Sequence, residues 1–529
     1  MEKKQIILLL IEVFCIFFFL FFIGSGIVSS PIYGDINVID EGQFGAWVSH
    51  MLRGEHLYKD TYAAYGPLYI YPSYVLSKLF GPSLFLIRIV YIVCSVFFAL
   101  VIVRLLMHTL RIRYPLQIFT VLLLLIIPGV GMRQGIGLLT ILLCFIAVKG
   151  MRFRWFIAAG LSLGCSFLIS TEIGIFSTVI CGLLFFIELI AAKKPLIILR
   201  RFALFIFSLV FLLSLFFHWA DREGWFFYYF SSTLDDLVTY SGINLPIGKN
   251  FPNALVLIPQ SWSIIKWVKY IVSKELLLYW IYFFYIITFC FLFIRTVLRK
   301  AKGDDLLIFL ISLYGLLLSM ILIGRSGHFS FTLAPVFIIV AFFLNQLMPL
   351  LSHGRSRYEK FFMIFFTAIL ILFSVRIASI YYPHFPKVLL LPSAIMSDKN
   401  NPKYVGPIFI SAPQAKSFFT IQNFIEKNTL PTDAVFFIGN EPVMYLIVNR
   451  SNPARFDIPE VASIKEKRLE IVNNLTRDKT KYIIDDSQAW SADEVSNWQR
   501  LPEVRSYILK NYTPRRLENF TIYERDAEK

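Results

Sequence analysis

The sequence predicts a polytopic α-helical membrane protein of about eleven transmembrane helices, followed by a small C-terminal soluble α/β domain. Three observations carry that expectation. Of 529 residues, 57% are hydrophobic and only 16% charged, against about a quarter charged in soluble proteins, so the apolar surplus calls for lipid. Apolar runs such as 6–23 and 84–103 approach or reach the roughly 18 to 20 residues that cross a hydrocarbon core. Basic residues gather in short loops at Lys3/Lys4, Arg104/Arg111/Arg113, Lys149/Arg152/Arg154, Lys193/Lys194/Arg200/Arg201, Arg295/Arg299/Lys300/Lys302 and Arg355/Arg357/Lys360. Two spans separate each cluster from the next, which puts the clusters and the N-terminus on the cytoplasmic side. The net charge of +16 is thereby accounted for, and nucleic acid is not needed to explain it.

In chain order, the first run is too long for a signal-peptide core and reads as a retained anchor. Crossings are expected at roughly 6–28, 84–105, 116–130, 134–149, 155–170, 173–192, 202–220, 271–294, 305–323, 329–349 and 358–380. Several middle segments are short and bounded by Pro or Gly, which is tolerated where protein or a water-filled cavity surrounds them, so a cavity among the third to sixth spans is expected. Residues 1–382 form the membrane domain, with outer loops at 29–83 and 221–270. In the first loop, Phe44, Trp47, Val48, Met51 and Leu52 make one apolar face, predicting a helix on the membrane surface. Asp40 is expected at its N-cap, with Gln43 three residues on and Gly54 as the stop. Pro67 opens a second short helix that ends near Gly81, and the other loop is rich in interfacial aromatics.

Residues 383–529 read as an extracytoplasmic domain, with helices near 414–427 and 460–475 and strands at 434–438 and 481–484. If those strands are parallel, Gly439-Asn440-Glu441 and Asp485-Asp486 share one sheet edge. The six cysteines all fall in apolar segments and form no metal-type pair, so neither a disulfide framework nor a zinc site follows. Sequons at Asn474, Asn511 and Asn519 are glycan acceptors only in a eukaryotic host.

With orientation read from the charges, Asp35, Asp40, Glu41, Arg133, Glu172, Arg325 and His328 all fall at outer span ends or in the first outer loop. Carboxylates beside cations at a cavity mouth suit a reaction in which an acid deprotonates a hydroxyl while cations hold a phosphate. Each also has a plain role open to it. Asp40 and Glu172 could cap helices, Glu41 could complement a helix dipole, Arg133 could close a turn, and Arg325 and His328 could meet lipid headgroups. Glu12 lies inside the first span, nearer the cytoplasmic end, where an ionisable group usually faces a partner.

Asp40-Glu41-Gly42-Gln43-Phe44, Arg53-Gly54-Glu55-His56-Leu57-Tyr58-Lys59-Asp60 and Tyr65-Gly66-Pro67-Leu68 resemble the first outer loop of GT-C glycosyltransferases of the protein O-mannosyltransferase and lipid A aminoarabinose transferase type. The likeness continues through Lys78-Leu79-Phe80-Gly81 and Arg88, and later through Ser170-Thr171-Glu172-Ile173-Gly174 and Gly324-Arg325-Ser326-Gly327-His328. The resemblance implies inverting transfer of a sugar from a polyprenyl-phosphate donor to a glycan, lipid or protein acceptor at the outer face. Asp40 would be the general base, with Glu41 orienting it or joining it in holding a divalent metal. Arg133, Arg325 and His328 would bind the lipid phosphate, and Tyr65 and Glu172 would complete the substrate site. Ser170 and Thr171 stand where the family carries Lys and Gln.

The bacterial cell (inner) membrane is the expected location. Two other classes compete with the enzyme reading. A lipid-linked glycan flippase would distribute polar residues through both leaflets, and a non-enzymatic envelope assembly protein would not need the outer carboxylates.

Overall fold

The computed structural model describes residues 12–18, 34–126, 131–192, 194–232, 274–297, 303–321, 332–352, 404–486 and 495–526, with a few isolated positions between them. Among these, four helices are long and apolar enough to cross a membrane: α3 (Leu84–Thr109), α5 (Met132–Gly150), α7 (Thr171–Ala191) and α8 (Pro195–Arg222). Apolar helices α4 (Tyr114–Ile126), α6 (Phe153–Ile169), α9 (Lys274–Val297), α10 (Gly303–Ile321) and α11 (Leu333–Ser352) accompany them. Of the first expected span only 12–18 and Leu20 are described, as helix, and most of 358–380 lies outside the described residues.

α8 starts earlier than the charge pattern suggests. Pro195 opens the helix, so Arg200 and Arg201 lie within it rather than in the preceding loop; proline is preorganised for a first turn, where no amide bond is lost. α3 carries a π-helical stretch, Tyr91–Phe97, in its middle. Near its far end Arg104 donates to Glu12 at 2.9 Å, so the half-buried acid of the first apolar run has its partner there.

The segment ahead of α3 contains α1 (Asp40–Leu52) and α2 (Pro67–Phe80) and is called the first loop below. Gly54 and Gly81 take φ of +88° and +86° after these helices, a backbone region that L side chains adopt at a cost. α1 does not lie on the membrane surface. Phe44, Ala46, Trp47, Val48 and Met51 are buried against protein, because α13 (Val443–Val448) of the C-terminal domain covers the apolar stripe. Gly42 permits that approach, since a Cβ there would stand 2.6 Å from the Val443 amide nitrogen. Trp225 and Tyr229, after α8, pack on Tyr58 of the first loop with ring centroids 5.5 and 4.9 Å apart.

The C-terminal domain is a four-stranded sheet of order β1-β2-β4-β3, formed by β1 (Val435–Phe437), β2 (Tyr482–Asp486), β3 (Tyr512–Leu517) and β4 (Phe520–Arg525). β1 and β2 are parallel, with Val435 opposite Tyr482; the other pairs are antiparallel. Alternate residues serve opposite faces. Val435, Phe437 and Ile484 pack toward α12 (Ala412–Asn428), α13 and the first loop, while Phe436 and Ile483 pack under α14 (Lys465–Arg477) and α16 (Pro502–Asn511). The short helix α15 (Asn497–Arg500) lies between β2 and α16.

Two seams of polar contacts join this domain to the first loop. Gln414 uses its side chain as a strand would, donating to the Ile36 carbonyl at 2.9 Å and accepting from the Ile36 amide at 2.8 Å. Asp35 accepts from the Ser411 amide at 2.7 Å. At the other seam His50 meets Asp457 at 2.9 Å, and Thr61 donates to the same carboxylate at 3.0 Å.

Candidate active site

Asp40 is the first residue of α1, not its cap. The cap position is Ile39, whose side chain accepts nothing, and Asn37 two residues earlier holds the helix start: its Oδ1 accepts from the amides of Ile39 and Asp40 at 3.1 and 3.0 Å, and its Nδ2 donates to Asp40 Oδ2 at 2.8 Å. Among the described residues Asp40 Oδ1 has no donor. The residue is exposed at the helix start, with protein packed close enough around its carboxylate to desolvate it. That desolvation raises its pKa above the ordinary aspartate value, against the Asn37 bond that favours the charged form.

One turn on from Asp40, Phe44 stacks on Tyr65 with centroids 6.4 Å apart and planes 9° from parallel, and Tyr69 meets both rings edge-on at 5.3 and 5.1 Å. The Arg133 guanidinium lies 5.2 Å from the centre of the Tyr65 ring, within the range of a cation–π attraction. Burial first, then Tyr65 and Asp40, raise the Tyr69 phenol, while Arg133 and Ser95 pull the other way, so Asp40 and Arg133 both act on one hydroxyl with opposite sign.

Arg133 is the second residue of α5, and Ser170 and Glu172 flank the start of α7. The arginine donates from Nε to Ser170 Oγ at 3.1 Å and from Nη2 to Glu172. Two helix N-termini thus lie beside one guanidinium, and Glu172 is the anion that this corner already holds. Gly66 fastens Tyr65 to this corner, since its amide donates to the Ile169 carbonyl at 3.0 Å, and a Cβ there would collide with the Leu168 carbonyl. The π-helical stretch of α3 contributes Ser95, which accepts from the Met132 amide at 2.8 Å and so fixes the start of α5.

Glu41 is placed differently. It is buried and held by Arg88, which is fully buried, with contacts of 2.7 and 3.2 Å to the two carboxylate oxygens. Arg88 also donates to the Gly34 and Asp35 carbonyls at 3.1 and 2.8 Å. The pair pins the loop that carries Asn37, and Asn37 sets Asp40. A divalent metal shared by Asp40 and Glu41 does not fit this geometry, because both Glu41 oxygens are committed to a cation. Among the described residues no group of three His, Cys, Asp or Glu side chains is arranged to hold one.

Of the residues singled out from the sequence, Asp40, Tyr65, Arg133 and Glu172 gather around one aromatic wall, and Glu41 stands behind it. Arg325 and His328 lie outside the described residues. Sequence reasoning gave no site role to Tyr69 or Ser95, and met Arg88 only within a resemblance. The available signal was Arg88 itself, a charge four residues into an apolar run, where a partner is expected. No family model matches the chain, and no curated protein matches it.

Proposed function

We propose that the chain is a GT-C-type membrane glycosyltransferase of about eleven spans, with its N-terminus cytoplasmic and its C-terminal domain extracytoplasmic, moving a sugar from a polyprenyl-phosphate carrier to an acceptor hydroxyl. The observation that supports this most is the Asp40 carboxylate, which keeps one oxygen without a donor among the described residues one helical turn before Phe44, whose ring stacks on Tyr65 beside Arg133. Asp40 takes the acceptor proton as the acceptor oxygen bonds to the anomeric carbon from the face opposite the phosphate. The bond from that carbon to the phosphate oxygen breaks, and polyprenyl phosphate leaves with the electron pair, inverting the centre. Arg133, exchanging Glu172 for the leaving phosphate, offsets the negative charge gathering there together with the α5 and α7 N-termini, with Arg325 and His328 assigned to the same leaving group. Phe44, Tyr65 and Tyr69 offer the flat apolar faces on which a sugar ring can rest. Glu41 acts as a positioning residue through Arg88 and Asn37.

Mass spectrometry of envelope glycans and lipids from cells with and without the protein tests the reading. A sugar missing without the protein, restored by wild type and not by Asp40→Asn, is the expected result. Restoration by Asp40→Asn overturns the assignment. Because burial raises Asp40 and a base must be ionised to act, the transfer rate of the purified protein is expected to fall as pH drops through that raised value.

A further inference from the structure

A cavity of about 400 Å³ lies at the other end of α1, lined by Ser49, Arg53, Ser77, Lys78, Tyr404 and Asn449 among others. Ser49 and Arg53 are nine and thirteen residues beyond Asp40, about 14 to 20 Å along the helix axis, so this is not the site described above. The first loop supplies one wall and the C-terminal domain the other.

We infer that this cavity binds the phosphate headgroup of a membrane lipid in the leaflet on the side of the C-terminal domain. Its depth follows from the chain. Gly81 and Pro82 line it, and Leu84 begins the span α3, so the cavity opens where the backbone enters the bilayer. α2 also touches the end of a second span, with Tyr71 packed edge-on to Trp219 at 5.2 Å. Beside the opening Val75, Leu79 and Phe80 of α2 are 48%, 69% and 75% exposed. That apolar ledge next to a polar cavity matches a molecule with a hydrocarbon body and a charged head.

The lining selects the charge of that head. Arg53 is partly neutralised by Glu55, whose Oε1 accepts from its Nε at 3.1 Å, and its Nη1 donates to Ser49 Oγ at 2.7 Å. Lys78 is exposed and pairs with no carboxylate among the described residues; its ammonium lies 5.9 Å from the Tyr74 ring. The six residues named include no acid, so the cavity carries surplus positive charge. Ser77 is 1% exposed, and its hydroxyl has no hydrogen-bond partner among the described residues. That hydroxyl has almost no accessible surface and lies behind the lining, so the contacts to a phosphate headgroup fall to Arg53 and Lys78. Free inorganic phosphate would leave the apolar ledge uncovered, so the occupant is assigned as a lipid.

The test uses full-length protein reconstituted in phosphatidylglycerol nanodiscs, released and weighed by native mass spectrometry. Wild type is expected to retain phosphatidylglycerol about tenfold more tightly than Lys78→Glu, with Lys78→Gln between them and Lys78→Arg close to wild type. Lys78 is exposed, so these variants keep the fold, as an unchanged thermal midpoint will report. Phosphate-free diacylglycerol is expected not to be retained, and excess inorganic phosphate is expected not to displace the bound lipid. Equal retention by wild type and Lys78→Glu, equal retention of diacylglycerol, or displacement by inorganic phosphate each overturns the assignment.

Discussion

The two ends of α1 hold the same kinds of side chain in opposite states. At its N-terminal end Asp40 receives one side-chain hydrogen bond and keeps an oxygen without a donor among the described residues. At its C-terminal end His50 is enclosed, with Glu55 against Nδ1 at 2.5 Å and Asp457 against Nε2 at 2.9 Å. Burial disfavours the imidazolium, yet Asp457 and Glu55 outweigh it and push the His50 pKa up to about 9. A closed network fixes structure, because each of its charges is already satisfied. An open carboxylate with a raised pKa stores a capacity to accept a proton. Glu41, adjacent in sequence to Asp40, belongs with the closed type.

Breaking the closed pairs is expected to cost stability, in decreasing order. Glu41→Ala strands the buried Arg88 guanidinium, so folding stability is expected to fall by about 3 to 5 kcal/mol, read as a lowered thermal midpoint and membrane yield. Unchanged stability would place Glu41 among the open carboxylates. His50→Gln is expected to remove about 3 kcal/mol, the value of a pKa raised from 6.5 to about 9. The sign is fixed by that shift. The contribution is complete below pH 6.5 and is lost as pH rises through 9, so wild type loses thermal stability across that window while His50→Gln does so less steeply. A parallel decline in both proteins would remove His50 as its cause.

Gly42→Ala probes the same contact sterically. The added methyl would meet the Val443 amide nitrogen at 2.6 Å, and about 1 to 3 kcal/mol is expected from overpacking, with faster proteolysis as the C-terminal domain loosens from the first loop. At the open end the smallest effect is expected from Tyr65→Leu, which removes a cation–π surface worth about 0.5 to 2 kcal/mol. It should raise the KM for donor several-fold with little change in folding.

Punctuation residues made much of the first loop legible. Pro67, Gly54 and Gly81 mark helix ends by fixed or left-handed backbone angles, which are local properties. The parallel pairing of β1 with β2 likewise agrees with the strand ends anticipated at Glu441 and Asp485. The hairpin of β3 and β4 escaped notice, because its turn runs through Glu518 at φ +50° without the glycine that usually announces one. The start of α1 differs from the expectation for a related reason: Ile39, a poor capping residue, takes the cap position, and Asn37 two residues earlier accepts the first helical amide in its place. An apolar stripe facing lipid reads the same as one facing a protein domain, so the covering of α1 by α13 was not visible in one sequence. The Glu41–Arg88 pair spans 47 residues and leaves no periodic trace.

The claim that Asp40 is a base rather than a helix-end residue is tested most directly by measuring turnover and thermal midpoint on the same preparation of Asp40→Asn, reconstituted with a polyprenyl-phosphate sugar donor. Asparagine keeps an oxygen for Asn37 but cannot accept the proton. The account predicts transfer lowered by about 100-fold or more with the midpoint unchanged. Full turnover in a folded Asp40→Asn protein would contradict it.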